Sequence, residues 1–230
     1  MAFRKKADII LTHKPDILIV PECEHPDKLI FKEGVLKPTD ILWFGNNKNK
    51  GLAVFSYGDF KLKRSDLHNE NLRMIIPIEV TGGQLDFIMF AVWAYNPDDL
   101  DGRYIEQVRK AIYFYDDLMT NKQTLIVGDF NSNSIWDKKH RASNHSNVVK
   151  LLEDKGIISL YHLYHKQVQG QELHPTYFMY RHKNRAYHID YCFASSDLAL
   201  QLKSVKLGDF DYWKNYSDHV PLIVEFTLYK

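Results

Sequence analysis

The sequence predicts an α/β sandwich, in which layers of strands and helices pack on one another. Predicted strands outnumber helices along the 230 residues, and 45% of the residues are hydrophobic, which is ample for a layered core. The helical patterns lie between groups of strands, and many neighbouring strands have connections too short for crossover helices. A strictly alternating parallel fold is therefore disfavoured, and we expect residues 1–230 to form a single domain.

The predicted strands are short apolar runs bounded by turn residues, and the predicted helices show apolar residues at helical spacing. The strands are DILIVPE after Pro15 and the runs 40–44, 52–57, 73–80, 85–93, 124–128, 187–194 and 220–228. The helices are 2–13, about 100–119, and 147–155, the last of which stops at Gly156.

Composition excludes several classes of protein. The formal net charge is +1, so no global positive field indicates a polyanionic partner, and contact with nucleic acid must be local. Cys23 and Cys192 are the only cysteines, too few for a disulfide framework and without zinc-binding spacing. No apolar run approaches the ~18 residues of a membrane span. We therefore expect a cytoplasmic monomer with no membrane partner.

The stretch LIVGDFNSN, residues 125–133, raises a chemical question because a core-like strand stops at a glycine and is followed by an acid and an amide. Alternation along an extended chain places Asp129 and Asn131 on one face, with Phe130 turned the other way. Asp and Asn are also common in turns, where they bond to nearby backbone groups. Taken alone, the stretch is more typical of a turn than of a catalytic site.

Polar residues also collect at the ends of other apolar strands. They are Glu22, the pair Tyr95–Asn96, Asp190 and the pair Asp218–His219. Each alone could be a solvated loop residue or a satisfied buried group. A sheet brings distant strand ends together, however, and these groups suit one task. Carboxylate oxygens are the ligands that Mg²⁺ prefers, and a histidine beside an acid can exchange a proton near neutral pH.

Five of these stretches resemble, in order, motifs of the endonuclease/exonuclease/phosphatase superfamily, the deoxyribonuclease I-like metal-dependent phosphoesterases. PDILIVPE is similar to the P-D-I-x-x-x-Q-E element, GLAVFS to a G-x-A-I/V strand and GDFNS to the G-D-F/M-N element. HIDYCFAS is similar to R-I-D-Y-I/V and SDHVPL to S-D-H-x-P, so the likeness spans residues 15–221. The resemblance implies a four-layer αββα sandwich of two mixed, largely antiparallel sheets, with the site at one end.

The resemblance also implies a role for each matching residue. Glu22 would be a metal ligand, and Asp218 would assist the metal or hold the site together. Asp129 would orient or deprotonate the attacking water, and Asn131 would donate to the phosphate oxygens. Whether Asp129 or a histidine is the base stays open.

The remaining matches concern the phosphate. His219, paired with Asp190, would contact the scissile phosphate and stabilise charge or transfer a proton. Tyr95 matches the tyrosine that nuclease-like members place on the phosphate.

The expected function is therefore hydrolysis of phosphodiesters with Mg²⁺, or Mn²⁺ in its place, by an endo- or exonuclease acting on DNA. The run of residues 181–185, RHKNR, could contact backbone phosphates or could be a solvated hairpin loop. A phosphomonoesterase for inositol phosphates or other small phosphate esters is the alternative within the family. A catalytically impaired binding module is the alternative from a different class.

Two departures from the family pattern bear on activity. The family begins with a strand that ends in N-x-N and helps to bind the metal, whereas this chain starts in a predicted helix. We therefore expect the domain to be incomplete at its N-terminus. Pro21 also stands where many members have Gln, and His188 stands where they have Arg.

Overall fold

The computed structural model describes residues 3–31, 33–72, 74–95 and 104–227. Its strands are β1 (Ile17–Cys23), β2 (Asp40–Asn47), β3 (Lys50–Ser56), β4 (Lys61–Arg64), β5 (Ile75–Thr81), β6 (Phe87–Trp93), β7 (Thr124–Asp129), β8 (Ile157–Ser159), β9 (Tyr177–Phe178), β10 (Ala186–Tyr187), β11 (Asp190–Ser195), β12 (Leu202–Leu207) and β13 (Leu222–Phe226). Its α-helices are α1 (Ala7–Ile10), α2 (Ile105–Phe114), α3 (Asp116–Thr120), α4 (His145–Glu153), α5 (Leu160–His165), α6 (Ser196–Ala199) and α7 (Phe210–Trp213).

A six-stranded sheet in the order β4-β5-β6-β7-β11-β8 forms the centre of the fold. Only the β6–β7 pair is parallel, and the other neighbours in this sheet run antiparallel. Every residue of β6, FIMFAVW, is buried. A strand covered on both faces has no reason to alternate with polar residues, which explains its continuous apolar sequence.

A second layer of strands covers one face of this central sheet. It consists of the three-stranded sheet β1-β3-β2 and the two-stranded sheet β12-β13, while β9 and β10 form a separate hairpin. Leu52 and Val54 of β3 pack against Ile78 and Met89 of the central sheet, and Val205 of β12 belongs to a neighbouring cluster. Within the described residues, β1 and β13 each have one edge without a paired strand.

Helices cover the two outer faces. Val108 of α2 and Val148 of α4 pack against Phe90 of the central sheet. On the other side, Phe3 and Ala7 of the N-terminal helical segment pack against the outer face of β1-β3-β2. The four layers and the mixed, largely antiparallel sheets confirm the predicted αββα sandwich.

Some predicted elements differ in detail from those observed. The helix predicted over 2–13 is a succession of short turns, Phe3–Lys5, Ala7–Ile10 and Leu11–His13, and the helix predicted over about 100–119 is divided into α2 and α3. Residues 100–103 of that prediction lie outside the described residues. The strands β4 (KLKR) and β12 (LKSVKL) and the helix α5 (LYHLYH) were not predicted, because the periodicity of their apolar residues is weak.

Two further expectations from the sequence concern membrane spans and the family's first strand. Among the residues that the structure describes, no helix has the length and apolar character needed to cross a membrane. The expectation that the family's first strand is missing from this chain stays a prediction.

Candidate active site

The end of β7 depends on a glycine. Gly128 has a φ of +141°, and a Cβ placed there would lie 2.0 Å from the carbonyl oxygen of Val92 on the parallel strand β6. Only glycine fits both the backbone conformation and this close approach. The strand then ends at Asp129, whose carbonyl accepts a hydrogen bond from the amide of Ala94 at 2.8 Å.

Asp129 and Asn131 lie side by side, as expected, but the reason is not strand alternation. β7 ends at Asp129, and Asn131 has a left-handed φ of +46°. The backbone amide of Asn131 donates to Asp129 Oδ1 at 2.9 Å, and its side-chain amide donates to Asp129 Oδ2 at 2.8 Å. Phe130 points into the core and is fully buried. A tight turn therefore holds the acid and the amide together.

Asp190 and His219 complete a connected group with this turn. Asp190 begins β11 and lies opposite Asp129 in the antiparallel pairing of β11 with β7. Asp190 Oδ2 is 2.8 Å from His219 Nδ1, which confirms the predicted contact between these side chains. A β-bridge joins His219 to Tyr177, and the two rings pack with centroids 4.8 Å apart.

The charges in this group perturb one another. Burial raises the pKa of Asp129 above its ordinary value, and the neighbouring negative charge of Asp190 raises it further. Burial alone would lower the pKa of His219, but the attraction and the hydrogen bond of Asp190 outweigh it and hold that pKa above its ordinary value. The protonated imidazolium is therefore favoured between the two carboxyl groups.

Glu22 lies at an irregularity in β1, where the register with β3 shifts between Val20 and Cys23. Its φ of +59° turns the side chain out of the strand, and its carboxylate pairs with Lys50 Nζ at 2.7 Å. Both side chains are about half exposed. Lys50 Nζ also lies 5.2 Å from the ring centroid of Trp93, which is level with Asp129, so Glu22 lies at the same end of the sheets. The charge of Glu22 raises the pKa of buried Asp129, although less than burial and Asp190 do.

Asp218 directly precedes His219 in the turn before β13. Its carbonyl accepts a hydrogen bond from the amide of Phe178 at 2.7 Å, so the turn is fixed to the β9–β10 hairpin. The pKa of Tyr177 is raised first by burial, then by the charge of Asp218 and, with smaller effects, by Tyr180, Asp129 and Glu22. Three carboxylates of the candidate site therefore act electrostatically on one tyrosine.

Tyr95 follows β6, and its ring stacks on Trp93 with centroids 4.8 Å apart. Trp93 is the residue of β6 that lies level with Asp129 of β7. Asn96, which accompanies Tyr95 in the sequence motif, lies outside the described residues. Hydrogen bonds join Asn131 to Asp129 and His219 to Asp190, and strand pairing places Asp190 opposite Asp129. Tyr95 reaches this group through Trp93. The catalytic and metal-binding roles of all seven residues stay predictions.

Sequence reasoning missed the residues that support Asp190. Thr176 is fully buried, and its hydroxyl accepts hydrogen bonds from the amides of Ile189 and Asp190, both at 3.0 Å. In the sequence Thr176 lies in the stretch HPTY, residues 174–177, which leads into β9 and is too short to indicate this role by itself. Thr176 fixes the start of β11 and therefore the position of Asp190.

A second supporting network involves Asn133 and Glu172. The side-chain amide of Asn133 donates to Glu172 Oε2 at 3.1 Å and to the carbonyl of His188 at 2.9 Å. Glu172 also pairs with His162 Nε2 at 3.1 Å. These residues come from three separate loops and from helix α5, so no local pattern could have connected them.

The residues of the site fit a divalent metal ion. Asp129, Asp190 and His219 each bring one oxygen or ring nitrogen within 4.8 Å of one another. Because a protonated imidazole cannot bind a metal, the two carboxyl groups are the ligands that this set offers. This set differs from the predicted ligands, Glu22 and Asp218, which contribute further hard oxygens at the same end of the sheets. Two neighbouring carboxyl groups, one of them buried with a raised pKa, are an arrangement that a divalent cation would stabilise.

The four-layer fold and the acid–histidine group at one end of its sheets define a class, the phosphoesterases of the αββα sandwich type. The chain belongs to the Endonuclease/Exonuclease/phosphatase family, whose model matches residues 7–219. Members of this superfamily are hydrolases, mainly nucleases and phosphatases, and they typically depend on divalent metal ions. A search of curated protein sequences found no match.

Solved structures share the fold across the whole chain. One is NExo from Neisseria, described as a 3′ phosphatase bound to a product DNA hairpin and, for Neisseria meningitidis, as a 3′-5′ exonuclease. It is 22% identical, with a TM-score of 0.69, and the match covers 98% of this chain and 95% of that chain. An AP endonuclease from Archaeoglobus fulgidus is 18% identical, with a TM-score of 0.66 and coverage of 99% and 96%. At these identities the likeness establishes the fold.

Proposed function

We propose that this protein is a metal-dependent phosphodiester hydrolase, a nuclease acting on DNA. The observation that supports this most directly is the hydrogen-bonded turn of Asp129 and Asn131 beside the Asp190–His219 pair. Hydrolysis of a phosphodiester needs an activated water on one side of phosphorus and stabilised charge on the phosphate oxygens. The Asp129–Asn131 pair offers a group that activates the water, and the Asp190–His219 pair offers a group that stabilises charge on the phosphate.

Asp129 is the group that orients or deprotonates the attacking water. Asn131 bonds to both of its carboxylate oxygens, so the carboxylate cannot rotate. Each oxygen keeps a lone pair that can accept a hydrogen bond from water. Asn131 uses one side-chain amide hydrogen on Asp129, and the second is left to donate to a phosphate oxygen.

His219 is the group that meets the phosphate. Nδ1–H donates to Asp190, which orients the ring and leaves Nε2 to face the substrate. Because Asp190 favours the protonated ring, Nε2 carries a hydrogen that can stabilise charge on a phosphate oxygen. This argument favours Asp129 over His219 as the base, and it leaves His219 able to protonate a departing oxygen.

We propose Mg²⁺ as the metal, with Mn²⁺ able to replace it, held by carboxylates of Glu22 and Asp218 together with those of the central group. When bound, such an ion neutralises charge on the phosphate and favours departure of the leaving oxygen. Hard carboxylate oxygens without cysteine ligands support Mg²⁺ or Mn²⁺ over softer metals.

DNA is favoured as the substrate by two observations. The structurally similar Neisseria protein is described in a complex with a product DNA hairpin. The basic run 181–185 is exposed in the connection of the β9–β10 hairpin, whose Tyr177 packs on His219. Basic side chains at that position could contact backbone phosphates on either side of the scissile bond. A cytoplasmic monomer is part of the same proposal, and both cysteines are buried and unpaired.

The deciding experiment compares cleavage by the purified protein of supercoiled plasmid, single-stranded DNA, RNA and a duplex with one abasic site, with Mg²⁺, Mn²⁺ or EDTA. We expect metal-dependent cleavage of at least one DNA substrate. Activity confined to inositol phosphates or other small phosphate esters would favour the phosphomonoesterase alternative. Binding of DNA without hydrolysis under every condition would favour the impaired binding module.

The same assay tests the residues. Asp129→Asn and His219→Ala should each lower metal-dependent cleavage by ~10²-fold or more, because each removes a positioned group that transfers a proton or stabilises charge. Asp197→Asn and His140→Ala are matched exposed controls and should cleave at the wild-type rate. Near wild-type rates for both site variants, with folding intact, would exclude this group as the catalytic centre.

A further inference from the structure

A half-buried lysine, Lys6, lies close to the segment that carries Asp218, one of the proposed metal ligands. It has no role in the chemistry described above. Lys6 Nζ donates a hydrogen bond to the hydroxyl of Ser217 at 3.2 Å. The same hydroxyl accepts a hydrogen bond from the amide of His219 at 3.2 Å. The Lys6 ammonium is therefore one hydroxyl group away from the segment that carries Asp218 and His219.

The position of Lys6 is fixed by the segment before it. The carboxylate of Glu24 accepts hydrogen bonds from the amides of Phe3, at 2.7 Å, and Arg4, at 3.1 Å, and from the Arg4 guanidinium at 2.9 Å. The ring of Phe3 is buried and stacks on Phe55 with centroids 5.2 Å apart. The amide of Lys6 then donates to the carbonyl of Phe3 at 2.9 Å. The position of the Lys6 charge is therefore fixed more closely than that of an ordinary surface lysine.

Acidic groups of the site act on this ammonium. Burial lowers the pKa of Lys6, and among the opposing groups Asp218 acts most strongly, with Cys23, Glu22 and Glu24 adding smaller effects. No ion pair joins Lys6 to a carboxylate in the described part of the chain. Glu24 is already paired with Arg4 and Glu22 with Lys50. Lys6 thus contributes a positive charge close to Asp218 without occupying its carboxylate oxygens.

We propose that Lys6 is a positioning residue that sets the affinity of the site for divalent cations, an inference that rests on the proposed function. A fixed positive charge repels a divalent ion that binds nearby, and partial burial limits screening of that repulsion. Lys6 therefore weakens metal binding and keeps the ion exchangeable. Lys6 itself occupies no carboxylate oxygen of Asp218 or Glu22 in the described part of the chain, although Lys50 pairs with Glu22.

The test is a calorimetric titration of Mn²⁺ into the metal-stripped full chain, which requires no substrate. Lys6→Met should lower the dissociation constant about three- to tenfold, on the scale of one charge pair a few ångströms apart. Lys6→Arg, which keeps the charge, should stay within about twofold of the wild type. Lys5→Met removes a neighbouring exposed charge and should also stay within about twofold. Raising the salt concentration should shrink the difference between the Lys6→Met variant and the wild type.

The outcomes separate this inference from the proposed function. Equal or weaker Mn²⁺ binding by a folded Lys6→Met variant would overturn the role of Lys6 alone, since the wild type would still bind metal. Absence of Mn²⁺ binding by the wild type would overturn both proposals. If Lys6→Met does not fold, Lys6→Gln carries the same test, because its amide can still donate to Ser217. Failure of both neutral variants to fold would assign Lys6 a structural role and overturn the inference.

Discussion

Asp190 Oδ2 lies 2.8 Å from His219 Nδ1, although the two residues are 29 positions apart in the sequence. Asp190 is fixed by the strand pairing of β11 with β7 and by the hydroxyl of Thr176. His219 is fixed by its β-bridge to Tyr177. The carboxylate therefore orients the imidazole, and neither side chain needs to rearrange to meet a substrate.

Asp190→Asn tests this orientation. An amide cannot stabilise the imidazolium as a carboxylate does, so we expect turnover to fall by ~10²-fold while the KM for a DNA substrate changes little. Steady-state kinetics with Mg²⁺ would separate the two effects. A turnover close to that of the wild type would show that His219 does not depend on Asp190, and Asp197→Asn is the exposed control.

Gly128→Ala tests the close approach of β7 to β6. The methyl group of the alanine would lie 2.0 Å from the carbonyl oxygen of Val92. The alanine backbone would also have to adopt a φ of +141°. We expect the free energy of unfolding to fall by ~2–4 kcal/mol, because neither strand can move without breaking the parallel pairing. Urea denaturation followed by circular dichroism measures this loss.

Gly58→Ala is the matched control for that substitution. Its Cβ would meet only the Asp16 carboxylate, at an ordinary contact distance of 3.5 Å. We expect a change within ~0.5 kcal/mol, as for a surface substitution without strain. Equal stability of the two variants would mean that the glycine of the GDFN stretch is not needed for packing.

The sequence could predict the layers because burial leaves a direct pattern in it. β6 is buried on both faces and is apolar throughout, so its strand was evident. β4, with the sequence KLKR, buries one leucine and exposes its other three side chains, which leaves too little pattern to detect. The N-terminal helix was predicted as one element, although its turns change from 3₁₀ to α and back, which periodicity does not resolve.

The candidate site was predictable where its residues share a short motif. Asp129 and Asn131 are two positions apart, and their proximity was expected, although a left-handed turn and not alternation produces it. Thr176 and Lys6 were not expected, because each acts on residues that are distant in the chain. Their contacts arise from tertiary packing, which no single-sequence pattern contains.

Glu172→Gln tests the buried carboxylate that accepts a hydrogen bond from Asn133 next to the candidate site. Burial would raise the pKa of Glu172, but hydrogen bonds from His162, the amide of Gly170 and Asn133 outweigh it and lower that pKa to about 2. Because the folded-state pKa is depressed, Glu172 stabilises the fold above its ordinary pKa of 4.5, and this contribution disappears as the pH falls from 4.5 to 2. It amounts to on the order of 3 kcal/mol at neutral pH.

Urea titrations at several pH values between 7 and 3 check this expectation. The wild type should lose stability below pH 4.5 more steeply than Glu172→Gln, whose amide does not titrate. Glu153→Gln changes an exposed carboxylate on α4 and should follow the wild type. Parallel curves for the wild type and the Glu172→Gln variant would contradict the assigned network.

His145→Gln tests a second buried group, which destabilises the fold in a different range of pH. The His145 ring is buried at the start of α4, with Nδ1 2.8 Å from the hydroxyl of Ser132 and Nε2 3.2 Å from the side-chain oxygen of Gln169. Burial lowers its pKa to about 4, against 6.5 in an unfolded chain. The folded state therefore binds fewer protons than the unfolded state between these values, and stability must fall as the pH drops from 6.5 towards 4.

The His145→Gln variant can be distinguished from Glu172→Gln because the two residues affect stability in different ranges of pH. His145 alone should cost the wild type on the order of 3 kcal/mol between pH 6.5 and 4. His145→Gln should be less stable at pH 7 but lose less over that range, with the remaining slope due to groups such as buried His188, whose pKa is also lowered. His140→Gln removes an exposed histidine near the start of the same helix and should keep the wild-type slope. The slope of unfolding free energy against pH is the quantity to compare, since it counts protons and is insensitive to the packing lost in the variant. An unchanged slope in His145→Gln would mean that protonation of another group accounts for any loss of stability in this range.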